Sequence, residues 1–265
     1  MNGESRLQIS VATHNGAVRA SNEDNISING RSRPIPQNIM NICGTTANRC
    51  LLLAVYDGMG GEQMGEVASD IAAKMSGKLL DRLNTAEVEK YPDMVNKYID
   101  EANAEICRRL HNSGSTRGGT TAAIAYIKDG VVYPFSLGDS RIYLLVNGEL
   151  IQISEDHTLA MRKYKANIYT LEEAEQSMDS HKLTLFLGVD VDGKGLTAQW
   201  YQPFNMPHSG KLLICSDGLY DMCSKDEIRD ILLNSSEKNI SSELVSAAVQ
   251  NGGTDNITCI VMEAI

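Results

Sequence analysis

The chain has 265 residues, of which 42% are hydrophobic, and a formal net charge of −10. This size and composition suit a globular protein with a full core, and the acidic balance excludes binding to nucleic acid or to an anionic membrane by bulk electrostatics. No stretch approaches the roughly 20 apolar residues of a membrane span. Six cysteines without a Cys-x-x-Cys pair, and the lack of a visible secretory signal, predict a reduced, cytoplasmic protein.

The first half of the chain predicts short strands, a polar insertion and two long helices. Residues 7–12 and 25–28 are short alternating segments typical of strands. Residues 30–49 are rich in Asn, Pro, Arg and Thr and predict a hairpin or a mobile loop inserted into the domain. Apolar residues recur about every four positions through 65–83 and 92–111, which predicts two amphipathic helices with one face in the core.

The second half predicts a meander of strands followed by helices and a final strand. Asp-Gly and Asn-Gly pairs between apolar runs are typical of tight hairpins, so the strands are expected to be antiparallel. Strands and helices come in blocks, which favours antiparallel sheets with helices outside over a doubly wound parallel sheet. With no linker or repeat, residues 1–265 are expected to form one domain. The predicted strands are 120–128, 131–137, 142–146, 149–153 and 257–262, and the predicted helices are 158–174, 224–233 and 241–250.

Three acidic residues stand at the ends of predicted buried strands. The short apolar stretches 51–56 and 212–216 are each followed by an Asp-Gly pair, which begins at Asp57 and Asp217. Asp255 comes just before the last apolar strand. Three carboxylates held close together repel one another unless hard cations lie between them. This pattern therefore predicts a divalent metal site.

A polar run near the start of the chain adds a cation and two more acids. Arg19 offers a planar fork that matches phosphate oxygens, and Glu23 and Asp24 follow it closely. Taken alone, such a charged turn is better explained as ordinary protein surface, because charged turns occur in most proteins. Its meaning depends on the other motifs in the chain.

Seven motifs occur in an order that resembles one family. Together they resemble the type 2C metal-dependent protein serine/threonine phosphatases, in particular the compact bacterial branch, over nearly the whole chain. The resemblance implies an α+β fold, a four-layer α-β-β-α sandwich in which two antiparallel β-sheets are flanked by helix pairs, with two metals at one end. The motifs are Arg19-x-x-Asn22-Glu23-Asp24, Val55-Tyr56-Asp57-Gly58-Met59-Gly60-Gly61, Gly118-Gly119-Thr120-Thr121-Ala122, Gly138-Asp139-Ser140-Arg141, Asp156-His157-Thr158, Ser216-Asp217-Gly218 and Asp255-Asn256-Ile257-Thr258.

The resemblance also implies roles for the acids of the inner metal site. Asp57 matches the carboxylate that bridges both metals, and the carbonyl of Gly58 matches a backbone ligand of one of them. Asp217 and Asp255 match the acids on the other metal.

The remaining matched positions concern the second metal, an outer metal and the substrate. Glu23 and Asp24 match an acidic pair that holds the second metal directly or through water. Asp139 matches a residue that helps to bind a third, weaker metal together with the counterpart of Asp217. Arg19 matches the arginine that grips the substrate phosphate.

The implied activity is hydrolysis of phosphoserine and phosphothreonine with two Mn²⁺ or Mg²⁺ ions, by direct attack of a metal-bridging hydroxide. The implied partners are phosphoprotein substrates and a Ser/Thr kinase acting on the same targets, with a monomeric enzyme and no nucleic acid or membrane. Two positions depart from the family. Met59 stands where many eukaryotic relatives have a proton-donating His, and residues 180–186 lack the arginines usual in bacterial relatives.

Two other functions remain compatible with the same residues. One is a phosphoprotein-binding regulatory domain of the same fold with weak or lost catalysis, although inactive relatives typically lose a metal aspartate and all are present here. The other is an intracellular calcium-binding protein. Arg19 argues against the latter, because a cation beside the acids weakens metal binding unless an anion also binds.

Overall fold

The computed structural model describes residues 6–34, 37, 39–47, 49–60, 64–115, 117–189, 195–236 and 238–265, and these residues form two large antiparallel sheets, one two-stranded sheet and seven α-helices. The strands are β1 (Leu7–His14), β2 (Asn25–Ile28), β3 (Arg31–Ser32), β4 (Met40–Thr46), β5 (Cys50–Tyr56), β6 (Gly58–Met59), β7 (Gly119–Thr120), β8 (Ala122–Lys128), β9 (Val131–Leu137), β10 (Arg141–Val146), β11 (Glu149–Gln152), β12 (Gln199–Trp200), β13 (Phe204–Asn205), β14 (Lys211–Cys215) and β15 (Ile257–Ala264). The helices are α1 (Met64–Thr85), α2 (Tyr91–Asn112), α3 (Leu159–Lys165), α4 (Leu171–Gln176), α5 (Asp217–Tyr220), α6 (Lys225–Asn234) and α7 (Ile240–Gln250).

The strand order places the two ends of the chain in the same sheet. The first sheet has the order β11-β10-β14-β15-β1-β4, so the first and last long strands are neighbours. The second sheet has the order β12-β9-β8-β5-β2-β3, and β13 also pairs with β9. Each recorded strand pair is antiparallel, as predicted.

The alternation of side chains along β5 explains why this strand is apolar throughout. Leu51 and Leu53 point into the core between the two sheets, whereas Leu52 and Ala54 pack under α1 and α2 on the other face. A strand covered on both faces must be apolar at every position.

Helices cover the outer face of each sheet. Tyr98 and Ile99 of α2 belong to the core on the second sheet. On the first sheet, Leu232 of α6 and Leu244 of α7 pack with Leu213 of β14. The layers therefore run helix pair, second sheet, first sheet, helix pair, and the predicted four-layer sandwich is confirmed.

Three two-residue turns between neighbouring strands have the same backbone conformation. Asn29-Gly30, Asp129-Gly130 and Asn147-Gly148 each have positive φ at both residues, which is the type I′ geometry that suits the twist of paired strands. The last two are the hairpins expected from the sequence. The first joins β2 to β3 and was missed, because its sequence had been assigned to the polar insertion.

Of the two alternatives predicted for the segment 30–49, a hairpin or a mobile loop, the described residues form a hairpin strand and a further strand. β3 completes the hairpin with β2 in the second sheet, and β4 then pairs with β1 as an edge strand of the first sheet. Met40 is buried between the sheets, while most of β4 is exposed. An exposed edge strand lacks the apolar pattern that identifies a buried one, so the composition indicated a hairpin or a mobile loop and did not reveal the pairing of β4 with β1.

The region 158–174 is also more interrupted than a single irregular helix. α3 ends at Lys165, and Asn167 has φ of +56°, which no helix accommodates. A capping box is present at the start of α4: Glu173 N–H donates to Thr170 Oγ1, and Thr170 N–H donates to Glu173 Oε2.

Candidate active site

Antiparallel pairing brings the predicted acids to one end of the sandwich. Asp217 follows β14 and Asp255 precedes β15, and these strands are antiparallel neighbours with Cys215 opposite Cys259. The end of one strand therefore lies beside the start of the other. Asp57 follows β5 of the second sheet at the same end.

A cavity of about 380 Å³ opens where these segments meet. Most of the predicted site residues line it, including the only predicted phosphate-binding cation. The predicted residues in its wall are Arg19, Glu23, Asp57, Gly58, Asp139, Asp217 and Asp255.

Asp24 is the predicted acid that does not line the cavity. It is 1% exposed and accepts a hydrogen bond from Ser216 Oγ at 2.8 Å. Its other oxygen, Oδ1, is buried with no partner in the described part of the chain. Burial raises the pKa of Asp24 to about 7, and the charges of Asp217 and Asp255 add to the effect. Asp24 therefore lies behind the cavity wall, with a polar atom still unsatisfied.

The backbone of Asp57 is fixed by Thr121. The N–H of Asp57 donates to Thr121 Oγ1 at 3.0 Å, and the N–H of Thr121 donates to the carbonyl of Asp57 at 2.9 Å. Thr121 Oγ1 also shares a 2.6 Å hydrogen bond with Ser140 Oγ. This network connects the end of β5 to the turn that carries Asp139, so the two acids have a defined relative position.

Crowding raises the pKa of several cavity carboxylates. Burial, with the charge of Asp217, raises the pKa of Asp57 and of Asp139 well above the usual range. Burial also raises the pKa of Asp217 to about 6, with Asp221 and Asp255 contributing. For Glu23, burial raises the pKa and the nearby charge of Arg19 opposes the rise.

Such a set of acids either holds protons or binds cations. Carboxylate and carbonyl oxygens are the hard donors that Mg²⁺ and Mn²⁺ prefer. Five carboxylates around one cavity, together with the orphaned Oδ1 of Asp24 behind it, therefore fit divalent cations.

Gly58 allows two segments of the site to touch. A Cβ at this position would lie 2.2 Å from the carbonyl oxygen of Glu23 and 2.5 Å from that of Gly65. Any side chain would push the Glu23 loop away from the end of β5. The glycine after Asp57 is required by this close approach.

Arg19 forms an ion pair with Asp255, at 2.7 Å between Nη2 and Oδ2. The side chain of Arg19 is 57% exposed and that of Asp255 is 39% exposed. The guanidinium is thus at the open side of the cavity, where an anion from solvent can reach it.

The structure adds residues that sequence reasoning did not assign. Within the described residues, one group of three metal-ligand side chains has its donor atoms within 4.8 Å of one another: His181, Asp217 and Asp221. Only Asp217 had been predicted. The spacing of Asp217 and Asp221 by four residues was a usable signal, since α5 brings such residues to one side. Nothing local in the sequence indicates that His181 reaches the cavity.

Asn256 is a further residue without a predicted role, and it supports the Glu23 loop. Its Oδ1 accepts the N–H of Glu23 at 2.7 Å, while its Nδ2 donates to the carbonyls of Asn15 and Ser21. Asn256 had been recognised as part of a motif but without a role.

A sandwich of two sheets between helix pairs, with buried carboxylates that fit divalent cations next to an arginine that fits phosphate, is typical of metal-dependent phosphatases. Comparison with known proteins agrees. The sequence model of the protein phosphatase 2C family matches residues 39–248. The chain belongs to the protein phosphatase 2C family.

Individual relatives match along nearly their whole length. The serine/threonine phosphatase stp of Listeria welshimeri is 32% identical over 260 residues, covering 95% of this chain and 93% of the relative. The crystal structure of the Mycobacterium tuberculosis serine/threonine phosphatase PstP/Ppp superposes with a TM-score of 0.79 at 26% identity, covering 97% of this chain and 98% of that one. The catalytic domain of PstP in complex with two manganese ions gives a TM-score of 0.77 at 26% identity, covering 98% and 99%.

These findings confirm the predicted family, fold and general activity, that of a metal-dependent serine/threonine protein phosphatase. Among the described helices, none is both long enough and apolar enough to span a membrane.

Proposed function

We propose that this chain hydrolyses phosphoserine and phosphothreonine in proteins with two divalent cations, Mn²⁺ or Mg²⁺, bound by the cavity acids. The observation that carries the proposal is the convergence of five carboxylates on one cavity beside Arg19. Burial and the charges of neighbouring acids raise the pKa of Asp57 and of Asp217 among them. The names of the relatives and the manganese ions in the PstP structure support the same activity.

The proposed inner site uses oxygen donors from four segments. Asp57 and the carbonyl of Gly58 come from the end of β5, Asp217 from the start of α5, and Asp255 from the start of β15. Glu23 provides the acid from the loop between β1 and β2. Because these donors come from four different strand ends and loops, the site forms only when the two sheets pack together.

Two further acids have weaker roles in this proposal. Asp24 is buried behind the wall, so it acts on the cations through its charge or through water. Asp139 contributes with Asp217 to a third, weaker cation site.

When bound, divalent cations neutralise phosphate oxygens and lower the pKa of water, which makes a nucleophile available near neutral pH. Arg19 binds and orients the phosphate through its planar fork of donors. To do so, Arg19 exchanges its contact with Asp255 for a contact with the phosphate.

Met59 has no titratable group, so this side chain cannot give a proton to the departing alcohol.

The remaining features of the proposal concern the protein as a whole. We propose that residues 1–265 form one catalytic domain that acts as a monomer in the cytoplasm on phosphoproteins made by a Ser/Thr kinase. The support for a reducing location is that Cys215, Cys223 and Cys259 are free thiols buried among apolar side chains.

The test is turnover of phosphoserine and phosphothreonine peptides with Mn²⁺, with Mg²⁺ and with chelator. Hydrolysis that requires either metal supports the proposal. Binding of the phosphopeptides without turnover with both metals, from neutral to mildly alkaline pH, would instead identify the regulatory-domain alternative. Cation binding that Ca²⁺ satisfies and that phosphate does not affect would identify the calcium-binding alternative.

A further inference from the structure

A buried arginine lies directly beneath the loop that carries Glu23. Arg33 follows β3 and is 1% exposed. In the described part of the chain, its guanidinium donates to backbone carbonyls and forms no ion pair with a carboxylate. A buried charge is strongly destabilising unless it is well satisfied, so the position of Arg33 needs an explanation.

The carbonyls that Arg33 binds lie on both sides of Glu23. Nη2 donates to the carbonyl of Asn22 at 2.9 Å and to that of Asp24 at 2.6 Å, and Nε donates to the latter at 3.2 Å. Nη1 donates to the carbonyl of Gln37, which ties the chain after β3 to the same guanidinium. One side chain thus holds the residues before and after a proposed metal ligand.

Side chains fix the remaining backbone groups of this loop as well. The N–H of Glu23 donates to Asn256 Oδ1 at 2.7 Å, and its carbonyl accepts from Ser69 Oγ at 2.6 Å. The peptide unit between residues 22 and 23 is therefore held at its oxygen by Arg33 and at its nitrogen by Asn256. The loop lies between β1 and β2 and outside both strands, so these side chains replace the hydrogen bonds that a strand would supply.

The charge of Arg33 also faces the acidic site. Burial lowers the pKa of Arg33, and the charges of Asp24, Glu66 and Asp70 counteract this effect. The guanidinium lies next to Asp24, which does not reach the cavity; burial raises the pKa of Asp24, and the charges of Asp217 and Asp255 add to the effect. A cation in this place reduces the repulsion among the carboxylates without occupying the cavity.

We propose that Arg33 is a positioning residue for cation binding: it holds residues 22–24 so that Glu23 presents its carboxylate to the cavity, and the segment 30–49 serves to place this arginine under the loop. The inference rests on the proposed function, because it takes Glu23 as a ligand. It gives the polar segment, which had no role from the sequence, a direct connection to the metal site.

The experiment measures Mn²⁺ binding by calorimetry without substrate, together with thermal unfolding in chelator. Arg33→Met removes the fork and the charge, and Arg33→Lys keeps the charge but loses the fork. Arg82→Met is the matched control, because Arg82 pairs with Glu101 between α1 and α2 and touches no residue of the loop. Loss of a residue that orients a metal ligand lowers metal affinity by about 10–100-fold. We therefore expect Mn²⁺ binding to be at least tenfold weaker in Arg33→Met and several-fold weaker in Arg33→Lys. Arg82→Met should bind Mn²⁺ as tightly as the unmodified protein.

The outcomes separate this inference from the proposed function. No Mn²⁺ binding by the unmodified protein would overturn the proposed metal site itself. Binding by the unmodified protein, with equal affinity in the Arg33 variants, would overturn only the role of Arg33. If Arg33→Met does not fold, Arg33→Lys decides: we expect saturating Mn²⁺ to restore its kcat with KM unchanged. If the affinity of Arg33→Lys for Mn²⁺ is unchanged and its kcat stays low at every Mn²⁺ concentration, Arg33 has only a structural role.

Discussion

Arg19 and Asp255 form an ion pair, with 2.7 Å between Nη2 and Oδ2, although the two side chains are proposed to bind ligands of opposite charge. Arg19 is proposed to hold phosphate and Asp255 to hold a cation. Both side chains are more than a third exposed, and exposed pairs contribute only about 0–1 kcal/mol. The pair therefore opens at little cost when a cation and a phosphate compete for its members.

Arg19→Ala is expected to raise KM for phosphopeptides while Mn²⁺ affinity is retained, because the substitution removes a phosphate ligand and a competitor of the cation. Arg19→Lys is expected to rescue KM only in part, since it restores the charge without the two-pronged fork. Steady-state kinetics and Mn²⁺ titration of both variants check this. A loss of Mn²⁺ affinity with unchanged inhibition by phosphate would contradict the assignment.

Asp57→Asn is expected to abolish turnover at saturating Mn²⁺. The proposed bridging ligand serves both cations, so its loss should exceed the roughly 10–100-fold effect of an outer-shell partner. Folding should be retained, because Asn can keep the two backbone hydrogen bonds to Thr121. Asp129→Asn, in the turn between β8 and β9, is the matched control and should be fully active. Near-normal turnover by Asp57→Asn would show that the site is wrongly assigned.

Asp217→Asn is expected to stabilise the metal-free protein in a pH-dependent way. Burial raises the pKa of Asp217 in the folded protein to about 6 from 3.8, so ionisation is easier in the unfolded state. The destabilisation by Asp217 is fully present above about pH 6 and disappears below its unfolded pKa. Urea unfolding in chelator should show the variant more stable by roughly 1–3 kcal/mol at pH 7.

At pH 4 the two proteins should differ little in the free energy of unfolding. Addition of Mn²⁺ at pH 7 should reverse the order, because only the unmodified protein keeps the charged ligand. A stability difference in chelator that is independent of pH would contradict the raised pKa of Asp217.

Asp139→Ala is expected to slow turnover while two Mn²⁺ ions remain bound. A site with few protein ligands and many waters is weak, so millimolar Mn²⁺ or Mg²⁺ should restore part of the rate. Binding stoichiometry and the metal dependence of kcat measure the two effects separately. Normal activity of the variant at low Mn²⁺ would assign Asp139 only to the turn between β9 and β10.

Much of the fold could be predicted because it depends on local periodicity. The apolar stripes of α1 and α2, the apolar run of β5 and the turns at Asp129-Gly130 and Asn147-Gly148 are visible in the sequence, and their elements lie within a few residues of the predicted bounds. β4 was missed because an exposed edge strand has no such period. The break after α3 was missed because it depends on the backbone of Asn167.

By itself, the sequence determined the nature of the site: acids at the ends of buried strands, with an arginine near them, and in an order that resembles one family. Only the tertiary structure decided which groups meet. It buries Asp24 behind the cavity wall, brings His181 and Asp221 to Asp217, and places Arg33 beneath Glu23. The physical reason is that periodicity and turn signals report on neighbours along the chain, whereas these contacts join segments that meet only when the two sheets and their loops pack together.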